Sequence, residues 1–184
     1  MIASPFRRRR AARRARREGA AAVEFALVAA PFFFMMFAVL ELGLIFVVDA
    51  VLENATVEAS RIVRTGRADM EDISAEDFKT ALCAGMSVFQ NDCQSRATID
   101  VRTVPSFRNT DPPDPIEDGE MNDDDLEYLT GEPGDLMLIR VWYAQPLVTP
   151  FMSQALSRLN SGDAVISVTT AFRNEPYRGP NDAG

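Results

Sequence analysis

The chain has 184 residues, room for one membrane anchor and at most one modest folded domain. Its formal charge of −8 hides an asymmetry: residues 1–17 hold 8 of the 19 Lys and Arg and none of the 27 Asp and Glu, so residues 18–184 carry 11 minus 27, or −16. A basic arm on an acidic body argues for membrane orientation and against nucleic acid, which needs basic groups on the folded part. Histidine is absent, which removes the commonest general base and metal ligand.

Residues 1–18 are arginine-dense and lack an apolar face, a composition expected to be disordered. From residue 25 to 48 there are 24 residues with one charge, Glu41. At ~1.5 Å per residue this is roughly 36 Å of helix, enough to cross the ~30 Å hydrocarbon core. Eight arginines, at 7–10, 13, 14, 16 and 17, precede it and by the positive-inside rule hold the N-terminus in the cytoplasm. The rest of the chain is then exported. The apolar run is too long for a secretory signal, and the A-x-A-like string at 20–22 precedes it, where signal peptidase would not cut. A single-pass protein of the inner, cytoplasmic membrane is expected.

Beyond the bilayer, Val51, Ala55, Ala59, Ile62 and Val63 keep a helical stripe, with Glu53, Glu58, Arg61 and Arg64 on the other face. The spacing predicts a helix over 20–66, spanning the membrane at about 25–48, loosened at Pro31 and ended at Thr65-Gly66. Ser74, with Glu76 and Asp77 behind it, opens a second helix with an apolar face of Phe78, Ala81, Leu82 and Met86. Residues 97–104 alternate as a half-buried strand, Ile99 and Val101 inward, Asp100 and Arg102 outward. Residues 109–135, with four prolines, three glycines and an acidic run at 123–125, read as a long solvated acidic loop. The run lacks the D-x-D-x-D-G calcium pattern. Residues 136–144 form the strongest and most central strand; a short helix over 151–159 and a strand over 163–174 follow, then a loose tail after Pro176. The exported domain, 67–184, is thus α+β, a three-stranded antiparallel sheet with one or two short helices packed on it.

Cys83 and Cys93, with nine residues between them on the exported side, can pair in an oxidising compartment or remain two half-buried thiols. Two cysteines without histidine make no zinc site, and no catalytic motif is present, so an enzyme is not expected. Two carboxylates lie at costly places. Glu24 sits at the start of the apolar run, and Glu41, near Gly43, either makes an interhelical contact or marks the outer interface.

The order of an arginine-rich leader, Gly19, four small or apolar residues, Glu24, Phe25 and an apolar helix resembles the class III signal of type IV pilin-like proteins. The fuller run VEFALVAAPFFFMMFAVLELG is similar to TadE-like minor pilins, or pseudopilins, of the tight-adherence (Flp) pilus. LIRVWYAQPL, the proline-bracketed helix and AFRNEPY (171–177) carry a weaker part of the same resemblance. It implies that a prepilin peptidase removes residues 1–19, leaving Ala20 as N-terminus. Glu24, then the fifth residue, would offset the α-amine of Ala20 in its own or a neighbouring subunit. The implied role is initiation, priming or capping of a Flp-type pilus used for adhesion, in the fibre or at its base. The implied partners are the peptidase, other minor pilins, the major Flp pilin, the inner-membrane assembly platform and the lipid bilayer; no cofactor is implied. The alternative is an unprocessed signal-anchored periplasmic binding module presenting the acidic loop.

Overall fold

The computed structural model describes residues 5–108 and 112–177. Helix α1 is Pro5–Arg64, unbroken through Gly19 and Pro31. The arm expected to be disordered is therefore helical from Pro5 onward; residues 1–4 lie outside the described residues. The reason is local. Proline suits a first helical position, and the alanines and arginines that follow are among the best helix formers. Nothing upstream of Gly19 stops the helix. The chain divides into two compact units, Met1–Glu41 and Leu42–Gly184.

Within the second unit, α1 buries Val48, Leu52, Ala55, Ala59 and Val63 completely or nearly so. Steps of three and four residues put these on one face. The stripe starts earlier than the sequence pattern indicated, with Val51 and Ile62 at its half-buried margin. Gly66 ends the helix in the left-handed region (φ +76°), and the ring of Tyr177 occupies the place a Cβ there would take. Helix α2 (Arg67–Met70) follows, then α3 (Ala75–Gly85). The Ser74 hydroxyl accepts from the Asp77 N–H (3.1 Å), and the Asp77 carboxylate accepts from the Ser74 N–H (3.3 Å), a capping box. Its buried face is Phe78, Leu82 and Cys83, continued by Met86; Ala81, expected inside, is exposed. Gly85 lies against α1, where a Cβ would stand 3.1 Å from that of Ala55.

A 3-10 turn (Ser87–Phe89) and helix α4 (Gln90–Arg96) were not signalled by the sequence. Of the polar stretch QNDCQSR only Cys93 is buried, so no apolar periodicity announces this helix. It is tied instead by the bond from Cys93 to Cys83 on α3, Cα atoms 5.5 Å apart.

Strands β1 (Ala97–Thr103), β4 (Leu136–Gln145) and β5 (Ala164–Arg173) form an antiparallel sheet in the order β1-β4-β5. β4 is central, as its continuous apolar run predicts. Val101 pairs with Ile139, which pairs with Thr170; Asp100 pairs with Arg140. Val101, Met137, Ile139, Val141, Tyr143, Ile166 and Val168 meet the helices in one core. Helix α5 is Pro150–Leu156, shorter than expected.

The stretch read as a solvated loop is largely built into the fold; its residues 109–111 lie outside the described ones. It contains a small hairpin, β2 (Ile116–Glu117) with β3 (Glu120–Met121), and it sets Tyr128 beside Val101 in a parallel bridge. Leu138, Arg140 and Trp142, on the sheet face away from the helices, are buried. The acidic segment contributes backbone partners to that face, as the next subsection describes. Of the tail expected to be loose after Pro176, residues 178–184 lie outside the described residues. Tyr177 itself is docked, its hydroxyl donating to the Gly131 carbonyl (3.1 Å).

Candidate functional site

Gly19, Ala20, Glu24 and Phe25 lie on successive turns of one helix, and all four are exposed. Ala20 and Glu24 are four residues apart and so share a face. A Cβ at Gly19 would meet nothing within 4 Å. Glycine in a helix interior costs about 1 kcal/mol relative to alanine. Among the described residues, no packing at Gly19 requires a glycine there.

Downstream, the apolar side chains have almost no cover: Phe25 is 72% exposed, Val28 71% and Met35 65%. Phe32, Met35, Met36, Val39 and Leu40 line a shallow apolar cleft, and Phe32 meets Phe33 edge to face at 5.5 Å. An apolar surface this continuous is not stable against water and calls for lipid or partner helices. Gly19–Arg64 is the helix among the described residues long and apolar enough to cross a membrane, which makes this a membrane-anchored chain with one span near its N-terminus. Glu41 is half-buried.

The second polar constellation escaped the sequence reading. Asp100, expected to face solvent, is fully buried. Arg102 donates to it from Nε (2.8 Å) and Nη2 (2.6 Å), and Arg140 from Nε (3.0 Å) and Nη2 (2.8 Å). The Glu127 N–H adds a fifth donor at 3.0 Å. Arg140 also donates to the Pro113 carbonyl (2.8 Å) and lies 4.7 Å from the Trp142 ring centroid; Arg102 donates to the Asp125 carbonyl (2.9 Å). Burial alone would raise the Asp100 carboxyl; the donors from Arg102, Glu127 and Arg140 outweigh it and hold the group below the usual aspartate range. The cluster thus fastens the acidic segment to the sheet at Pro113, Asp125 and Glu127. One signal was available: Arg140 interrupts an otherwise apolar central strand, and a charge there demands a buried partner. Tyr128 packs on Phe78 (5.7 Å between rings), and burial, with Asp77 nearby, pushes its phenol up to about 12.

Cys83 and Cys93 are both inaccessible, so their bond belongs to the core. Among the described residues no group of acidic or sulfur side chains is arranged to hold a metal.

Residues 19–61 match the family described as TadE-like protein. That stretch of α1 is similar to the TadE-like family. The match opens on Gly19, includes Glu24, Phe25 and Glu41, and runs through the buried stripe to Ala59. Searches of curated proteins and of solved structures return no match. The matched segment therefore includes the exposed apolar stretch from Val23 to Val47 and most of the helix that enters the folded domain.

Proposed function

We propose that the chain is a minor pilin, or pseudopilin, of a tight-adherence (Flp) pilus, inserted with its N-terminus in the cytoplasm and processed between Gly19 and Ala20 by a prepilin peptidase. The observation that carries this reading is the TadE-like match beginning at a glycine that no packing requires, with Glu24 five residues on, on a helix whose apolar surface is uncovered. Residues 67–184 form the periplasmic domain, and the Cys83–Cys93 bond suits an oxidising compartment. The chain acts as a structural partner of other minor pilins, the major pilin and the assembly platform, not as an enzyme. It serves to initiate, prime or cap the fibre.

After cleavage, the new ammonium of Ala20 lies one helical turn from the Glu24 carboxylate of its own chain or beside that of a neighbour. In lipid, either charge alone is poorly solvated, so the pair favours packed subunits over isolated ones. The acidic segment gives the binding-module reading little support, because much of it is fastened to the sheet by the Asp100 cluster.

The test is processing. Co-expressed with an active prepilin peptidase, the chain loses 19 residues by intact-mass measurement and starts at Ala20. Gly19→Leu blocks this, since a side chain stands where the peptidase must approach the backbone. An intact Met1 beside active peptidase would falsify the proposal.

A further inference from the structure

The folded unit covers α1 before the apolar run ends, and from that overlap we infer that the end of this unit carrying Val88 and Val148 rests in the head-group layer of the membrane. The apolar run sets the lipid span at about residues 25–48. Within the second unit, Ile45 already packs on the core and Val48 is fully buried in it, while Leu42, Leu44, Phe46 and Val47 on the same turns are exposed. A domain that sheaths helix residues still level with lipid must itself stand at the lipid boundary there. This step rests on the membrane-anchored reading above.

Two routes of the chain bring apolar tips to this end. α3 runs opposite to α1: Ala81 shares a shallow cleft with Ile62 and Thr65, and four residues later a Cβ on Gly85 would stand 3.1 Å from that of Ala55. The chain thus moves toward Val48 and turns at Ser87, whose backbone is left-handed (φ +54°), a conformation disfavoured for a residue with a Cβ. Val88, in that turn, is 85% exposed. The strand route agrees. At the end of α1 the Arg64 carbonyl accepts from the Glu175 N–H (2.9 Å), just past the Leu136↔Arg173 pair that opens β4. From that corner β4 runs ten residues, roughly 30 Å, and Tyr143 near its far end lies in the core that Val48 enters. Val148 follows, between Pro146 and Pro150, and is 87% exposed. Ala97, which pairs with Tyr143, directly follows α4, so the two routes meet.

Val88 and Val148 are more exposed than any large apolar side chain described on the anchor. A single exposed valine needs no explanation; two at the end where an apolar helix surface enters the fold do. Lipid is the occupant because it already surrounds the helix at that level. Arg96, the base on α4, pairs with Asp92 (3.5 Å), and α1 contributes Asp49, so attraction to anionic lipid does not drive the contact. The surface met is zwitterionic phospholipid, and the contact is apolar insertion.

The test uses the full, unprocessed chain, one copy per phosphatidylcholine nanodisc, with a nitrobenzoxadiazole label on a single added cysteine. Cys83 and Cys93 are bonded and inaccessible and do not compete. Labels at Val88→Cys and Val148→Cys should each lose at least about half of their emission to a spin label near the lipid glycerol, the depth an interfacial side chain reaches. The same label at Met70→Cys, beyond the other end of α1, should lose none. Contact is separated from nearness by Val148→Asp, which should restore the emission of the label at position 88, whereas Val148→Leu should not. Circular dichroism checks that each variant is folded, and Val88→Asp read from position 148 carries the test if Val148→Asp is not. Equal quenching at all three sites, none at 88 and 148, or no response to the aspartates would each overturn the inference. Shielding seen only in discs that hold two copies would also overturn it, by assigning the surface to a second chain. A chain that fails to co-elute with the discs would overturn the anchor and this inference together. No peptidase is present, so the pilin proposal is tested separately.

Discussion

Two stretches of α1, one apolar almost throughout and the other apolar mainly along a stripe, meet different fates. Between Val23 and Val47 nearly every large apolar side chain is exposed, and the surface is apolar all round. From Val48 to Val63 the apolar residues follow one stripe, with Glu53, Glu58, Arg61 and Arg64 turned away, and the stripe is buried. A stripe needs one neighbouring layer, and the folded domain supplies it through α3 and the sheet. A helix that is apolar on every side has no single layer to satisfy it and needs lipid or several partner helices. The first stretch is therefore shaped by molecules outside this chain, the second by its own fold.

Substitutions can sharpen that contrast. The largest effect falls deepest in the domain: Asp100→Asn leaves buried Arg140 and half-buried Arg102 without their carboxylate and should cost roughly 3–5 kcal/mol in chemical denaturation. The same group sets a pH dependence. Because the folded state lowers the Asp100 pKa, its contribution is complete above the unfolded value of about 3.9 and is lost as pH falls through the folded one. Unfolding curves should coincide for parent and parent-like variants from pH 5 to 8 and weaken only in more acid solution; a loss already at pH 6 would assign the sensitivity elsewhere.

Next in size is a matched pair on α1. Leu52→Ala opens a cavity in the core and should destabilise the domain by about 2–5 kcal/mol, while Leu40→Ala should change it by less than about 0.5 kcal/mol. Equal effects would erase the distinction between the two stretches. Opening the disulfide comes third. It closes a loop of sequence separation 10, and the double substitution of Cys83 and Cys93 by serine should cost roughly 2–3 kcal/mol. In membranes containing exported protein, alkylation of the two thiols should require prior reduction.

The smallest effect on stability is expected at Glu24. Glu24→Ala makes the helix more apolar and leaves both insertion and cleavage intact, because Gly19 is unchanged. What should fail is co-purification with the major pilin, and with it piliation. Normal processing together with normal pili would reduce Glu24 to an interfacial residue.

By itself the sequence determined what depends on local pattern. The charge asymmetry and apolar run marked the anchor; Ser74 with Asp77 marked the start of α3; Thr65-Gly66 marked the end of α1; the unbroken apolar run at 136–144 marked the central strand. These signals are read over a few turns, where propensity, capping and periodicity act. The start of α1 differs from the disorder that charge density suggests, because alanine and arginine both favour helix. Only the tertiary structure decided the rest. Asp100 is inside because Arg140, forty residues away, lies opposite it in the register, and no local pattern encodes a cross-strand partner. Helix α4 is joined to α3 by a covalent bond between residues ten apart, and the acidic segment is held where sheet and backbone supply partners for each other. The strand order likewise follows from contacts between distant segments. Such contacts depend on which chain elements meet, and that is settled only when the whole domain packs.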